Sequence, residues 1–295
     1  MRNVVRVLVF LAYVLAIAAG FLLFAEAPPA ASADARGKVA GIAAKILKAD
    51  YGDDRPALRK LYEELAPYTA EAGDPVFVSR VRYWRGFALW RRVLNGFNDK
   101  APREEQEQDL NGCIAEFDDA LAKDPSFTDA RVGKVSCLVG LYLLDQKDAE
   151  RRAQYITQFN QLREEAKTTA SENPRVAWMV GGGTWYLPAE KGGGPAAAIE
   201  IYEKGLRAAR KKSGAAKDSL DPGWGEPELL ASLAWSKLNQ PAPDIDAAEA
   251  NARAAVALVP DWHYARDILM PQVRDAREAK AKGASPPPTP AAGSN

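Results

Sequence analysis

The stretch Cys113-Ile114-Ala115-Glu116-Phe117-Asp118-Asp119-Ala120-Leu121-Ala122-Lys123-Asp124-Pro125 sets Cys113, Phe117 and Ala120 four and then three residues apart and ends on a proline. Residues at those intervals share one helix face. The trio therefore forms a stripe that must be covered, and its small members let a neighbouring helix backbone come close. The pattern returns as Ala248, Ala252, Ala255 and Pro260, and as Ala198, Tyr202 and Gly205 without the terminal proline. Proline disfavours helical geometry in the residue before it and fits the first turn of the next helix, so it ends one helix and opens another.

Working outward, five such marks punctuate the chain: Asp74-Pro75, Asp124-Pro125, Asn173-Pro174, Asp221-Pro222 and the inverted Pro260-Asp261, spaced 50, 49, 48 and 38 residues apart. One helical hairpin cannot bury both of its faces, whereas stacked neighbours can. Between the marks almost every segment has helical periodicity, and no alternating stretch demands a strand. Helices are expected over 35–49, 55–71, 76–95, 105–123, 127–144, 148–171, 175–186, 195–212, 226–239, 245–258 and 261–281, separated by clusters of Pro, Gly, Asn and Asp.

The small and apolar positions resemble the second helix of the tetratricopeptide repeat (TPR), whose two helices touch at small residues and whose unit ends on proline. The resemblance implies an all-α, TPR-like solenoid of stacked antiparallel helical hairpins over residues 34–282, acting as a binding scaffold and not as an enzyme. A spacing near 49 leaves about 15 residues beyond the 34-residue unit, expected either as longer helices or as longer turns, with 95–106 and 186–195 read as such insertions. The segment from Asn173-Pro174-Arg175 through Gly181-Gly182-Gly183 to Lys204 is similar to exported bacterial TPR-type proteins without an assigned activity.

The first 33 residues differ in kind. Arg2 and Arg6 precede an apolar run from Val7 to Ala25, and Ala31-Ser32-Ala33 offers the small-x-small site of a signal peptidase. The run also approaches the ~20 residues that span a bilayer, so a cleaved signal peptide and a retained N-terminal anchor both stand. Either puts the folded part outside the cytoplasm, with Asp34 as the mature N-terminus if cleavage occurs. Residues 283–295 hold no large apolar side chain and read as a disordered Pro/Ala-rich tail.

The 39 basic and 39 acidic residues cancel, which gives no basic footprint for nucleic acid. The lone His263 has no second histidine or cysteine pair at ligand spacing, and neither glycine run fits a phosphate or dinucleotide loop, so no metal or cofactor is expected. Cys113 and Cys137 each lie twelve residues from Pro125, at the same level of a 105–144 hairpin; they are either a disulfide or two small core residues. Three glycines inside a helical pattern cost ~1 kcal/mol each against alanine and call for a packing or contact reason.

If Gly86 takes the small position of a TPR first helix, Arg80, Tyr83, Phe87, Trp90 and Arg91 fall on the concave face that the family uses for ligands. Trp178 and Trp185 occupy the equivalent face of the third unit. Rings beside guanidinium groups suit a peptide, a carboxylate or a sugar. The same stripe also reads as core rings with a solvated arginine face. Two functions follow: a scaffold holding cell-envelope protein partners in a groove of first helices, or a small-molecule-binding subunit, for example transporter-associated, with an aromatic and glycine pocket near 178–186.

Overall fold

The computed structural model describes residues 31–70, 73–212 and 218–283. The apolar run at Val7–Ala25 and the tail from 284 lie outside them. Eleven α-helices are described: α1 (Ala33–Tyr51), α2 (Arg55–Glu64), α3 (Pro75–Asn98), α4 (Arg103–Lys123), α5 (Thr128–Leu144), α6 (Ala149–Thr169), α7 (Pro174–Trp185), α8 (Pro195–Lys212), α9 (Glu226–Asn239), α10 (Ile245–Leu258) and α11 (Met270–Ala281). Short 3-10 turns cover Ala66–Ala70 and Ala189–Lys191, and a π-helical turn at Tyr264–Leu269 leads into α11. Among the described residues there is no strand, and no helix is long and apolar enough to cross a membrane.

The helix starts have a local cause. Asp74 accepts a hydrogen bond from the Phe77 amide at 2.8 Å, and Asn173 accepts from Arg175 at 2.9 Å, each followed by proline at the first helical position. Asp54, Asp148 and Asp244 cap α2, α6 and α10 in the same way. Such caps satisfy amides that a helix start leaves unpaired, typically ~1 kcal/mol each.

Consecutive helices pack as hairpins, and the odd-numbered helices α1, α3, α5, α7 and α9 also touch one another in sequence, forming one row. Small residues set the approach within hairpins. Phe117 of α4 enters between Gly86 of α3 and Gly133 of α5, where an added Cβ would lie 2.9 and 2.3 Å from its ring. Tyr202 of α8 covers Gly181 of α7, with Cε1 only 2.3 Å from where a Cβ would sit. That contact is the packing reason for the first of the three glycines. The core forms one cluster from α1 to α7 and a second from α8 to α11, with Trp178 packed against both.

Cys113 on α4 and Cys137 on α5 face each other across their hairpin, with the sulfurs joined in a disulfide at 2.07 Å. Around 95–106 the added length is helix and not turn, since α3 runs on to Asn98 and α4 begins at Arg103. α9 begins at Glu226, where the 226–239 helix is expected, with Pro227 in its first turn, and Asp221-Pro222 lies in the connection between α8 and α9.

Candidate functional site

The aromatic face of α3 is where the sequence places it along the helix, but it is not an open groove. Tyr83, Phe87 and Trp90 are at most 1% exposed, and Arg91 is buried. What covers them is the chain's own segment 218–225, here called the strap. Leu220 and Trp224 of the strap are buried against α3, the Trp224 ring lying 5.8 Å from Phe87, 5.7 Å from Trp90 and 5.6 Å from Trp178.

Polar contacts fix the strap along its length. Trp84 Nε1 donates to the Leu220 carbonyl at 2.8 Å, and Trp224 Nε1 donates to Tyr83 Oη at 2.7 Å. Arg80 Nε donates to Asp221 at 2.9 Å and its Nη1 to Asp124 at 2.8 Å, with the guanidinium 3.6 Å above the Phe127 ring. The predicted groove residues Arg80, Tyr83, Phe87 and Trp90 are thus brought together, but as the floor under a covering segment. Arg91 turns to Asp50 of α1, its Nε 2.7 Å from Oδ1. His263 is likewise engaged locally, its Nδ1 2.9 Å from Asp267.

Behind the strap lies a buried charged cluster that the sequence did not announce. Tyr51 Oη donates to Glu228 Oε1 at 2.7 Å, and Glu228 Oε2 accepts from the Gly225 amide at 2.7 Å. Burial pushes the Asp50 and Glu228 carboxyls above their ordinary values of 3.8 and 4.5, with Arg91 pulling the other way. An acid whose folded value is raised adds stability below its unfolded value, and that stability is lost as pH rises through the folded value. Glu228→Gln removes one of the two carboxyls whose folded values are raised. Urea midpoints of that variant, read from about pH 4 to 8, should fall less with rising pH than those of the parent. Parallel pH profiles for the two proteins would disprove it.

The second candidate is the outer aromatic face at the end of α7. Trp185 is half-buried and meets Trp235 of α9 edge-on at 4.9 Å. Tyr186 is 66% exposed and the adjoining Leu187 36%. Tyr264, half-buried, has its hydroxyl pushed up to about 12 by burial and by the nearby Tyr186. Among the described residues the Trp235 indole N–H is buried without an acceptor. Arg163 of α6 places Nη1 3.3 Å from where a Cβ at Gly183 would lie, one helical turn from Tyr186. The sequence singled out Trp185 and the glycines; Trp235, Tyr264 and Arg163 come from other helices and carried no local signal. Trp178, also expected at the site, instead sits between the two cores, 5.9 Å from Trp90.

No family model matches this chain, and no curated protein is similar to it. Among solved structures, the HusA haemophore from Porphyromonas gingivalis is similar at a TM-score of 0.52 and 16% identity, over 66% of this chain and 90% of that one. At that identity the likeness is one of fold.

Proposed function

We propose that this is a non-enzymatic binding protein of the cell envelope, and that it takes a flat, largely apolar ligand bearing a carboxylate on the face built by Trp185, Tyr186, Trp235 and Tyr264. Haem is the leading example of that class. The observation that carries the proposal is the exposure of Tyr186 and Leu187 above a half-buried Trp185–Trp235 pair. A large ring and an aliphatic side chain left in water beside a packed aromatic pair are a usual mark of a binding surface. Trp185 and Trp235 supply the ring layer, and Arg163, which pairs with Glu164 at 3.6 Å, brings a cation beside Gly183 for a carboxylate.

The likeness of fold to a haemophore supports the ligand class, and the row of odd helices supports a TPR-like architecture. The basic and apolar N-terminus with its small-x-small site supports export. A haem titration followed by absorbance and tryptophan quenching tests the proposal. The parent protein should saturate. Tyr186→Ala should bind about tenfold more weakly, the equivalent of ~1.4 kcal/mol. Its melting should barely change, because an exposed substitution usually shifts stability by under ~0.5 kcal/mol. Absence of saturable binding to the parent, or equal affinity in the variant, would remove haem from this face.

A further inference from the structure

The strap is held the way a ligand is held. Its residues 218–225 are not helical, and its internal bonds are local: the Leu220 amide donates to Asp218 Oδ1 at 2.9 Å and the Asp221 amide to the Asp218 carbonyl at 3.0 Å. Its two carboxylates, the Leu220 and Trp224 carbonyls and the Trp224 indole are engaged by the groove. Arg36 Nη1 reaches Asp218 at 3.0 Å, Arg80 Nε reaches Asp221 at 2.9 Å, and Arg175 Nη1 donates to the Trp224 carbonyl at 2.8 Å.

Each of those three arginines is positioned independently by a carboxylate of the groove wall. Asp74 holds Arg36 at 2.8 Å, Asp124 holds Arg80 at 2.8 Å, and Asp129 holds Arg175 at 2.6 Å. Asp74 and Asp124 are the aspartates of the repeated Asp-Pro marks. One carboxylate fixes each guanidinium and leaves another N–H free to point at whatever lies in the groove, so the recognition groups are set before the occupant arrives. The two strap carboxylates lie at its more open part, about a third exposed, while Leu220 and Trp224 fill the apolar floor.

We propose that this inner groove is a peptide-binding groove that the chain fills in cis, and that it accepts from a protein partner a non-helical segment with the strap's own chemistry and opening turn. That chemistry is carboxylate, leucine, carboxylate and proline, then tryptophan after a one-residue spacer. The groove is separate from the outer aromatic face, so the proposal goes beyond the ligand assigned there. Because the strap is tethered, it competes at a high effective concentration, and a partner segment must displace it. The intact protein is the closed form, and partner affinity is set by how firmly the strap is seated.

A labelled synthetic peptide covering 218–225 tests this by fluorescence anisotropy on the full chain. Trp224→Ala empties the deepest position, so the peptide should bind that variant at least about tenfold more tightly than the parent and raise its melting temperature. A control peptide with alanine for its tryptophan and asparagine for both aspartates should do neither. If Trp224→Ala does not fold, the paired variant Asp218→Ala with Asp221→Ala carries the test. It removes the partly exposed ion pairs and the bond from the Leu220 amide to Asp218, leaves Leu220 and Trp224 in place, and should bind the peptide about threefold more tightly than the parent. Equal binding by parent and variants, no binding by any of them, or binding of the control peptide as well would each overturn the proposal. Haem affinity should be unchanged in both variants, which separates failure here from failure at the outer face.

Discussion

Arg91→Ala is expected to cost the fold about 3–5 kcal/mol, the scale on which a buried ion pair fails when one partner is removed. Arg91 lies beneath the strap with Nε 2.7 Å from Asp50 Oδ1, and Asp50 is 3% exposed. Glu228, 4% exposed, draws on the same positive charge. Removing the guanidinium takes from both buried carboxylates the cation they share, and one Asp50 oxygen already has no donor among the described residues. Burial then raises both carboxyls further, so stability is highest in acid and is lost as pH rises through the raised values. The variant should therefore regain part of its stability at low pH. Chemical denaturation at two pH values checks this. A cost under about 1 kcal/mol would mean that the cluster is wetter than its burial implies. Arg91→Met with Asp50→Leu should cost less than Arg91→Ala alone, because it leaves one fewer charge unpaired.

Breaking the Cys113–Cys137 bridge should have the next largest effect. The bond closes a loop with a sequence separation of 24, for which the chain-entropy estimate is about 3 kcal/mol. Cys113→Ala with Cys137→Ala should lower the unfolding free energy extrapolated from urea titration by that amount while leaving helical content unchanged, since both positions stay small and apolar. Thiol counting on the denatured parent should find none free before reduction and two after it. Two reactive thiols before reduction would show that the bridge does not form in the cell.

The two predictions draw on different levels of information. The bridge was open to inference from the symmetry of the two cysteines about Pro125, although the alternative of two free thiols had equal footing on that ground. The Asp50–Arg91–Glu228 cluster was not open to inference, because its members come from α1, α3 and α9 and share no spacing rule. The outer face divides the same way. Trp185 stands beside a glycine run that drew notice, but Trp235 meets it from a helix that begins forty residues later.

By itself the sequence determined the all-helical class, nearly every helix boundary, and the small residues at which hairpins close. These are local matters: a cap, a proline or a stripe repeating every three to four residues acts through neighbours a turn away. Only the tertiary structure decided what covers each stripe. Tyr83, Phe87 and Trp90 present the same periodicity whether they line an open groove or a core, and the choice was made by Leu220 and Trp224, with Trp224 bonded to Tyr83 across 141 residues. The Asp221-Pro222 mark precedes the helix start at Glu226, but its place in the strap rests on Arg80 and α3. Helix periodicity records which side chains share a face, whereas burial depends on which distant segment comes to rest on it.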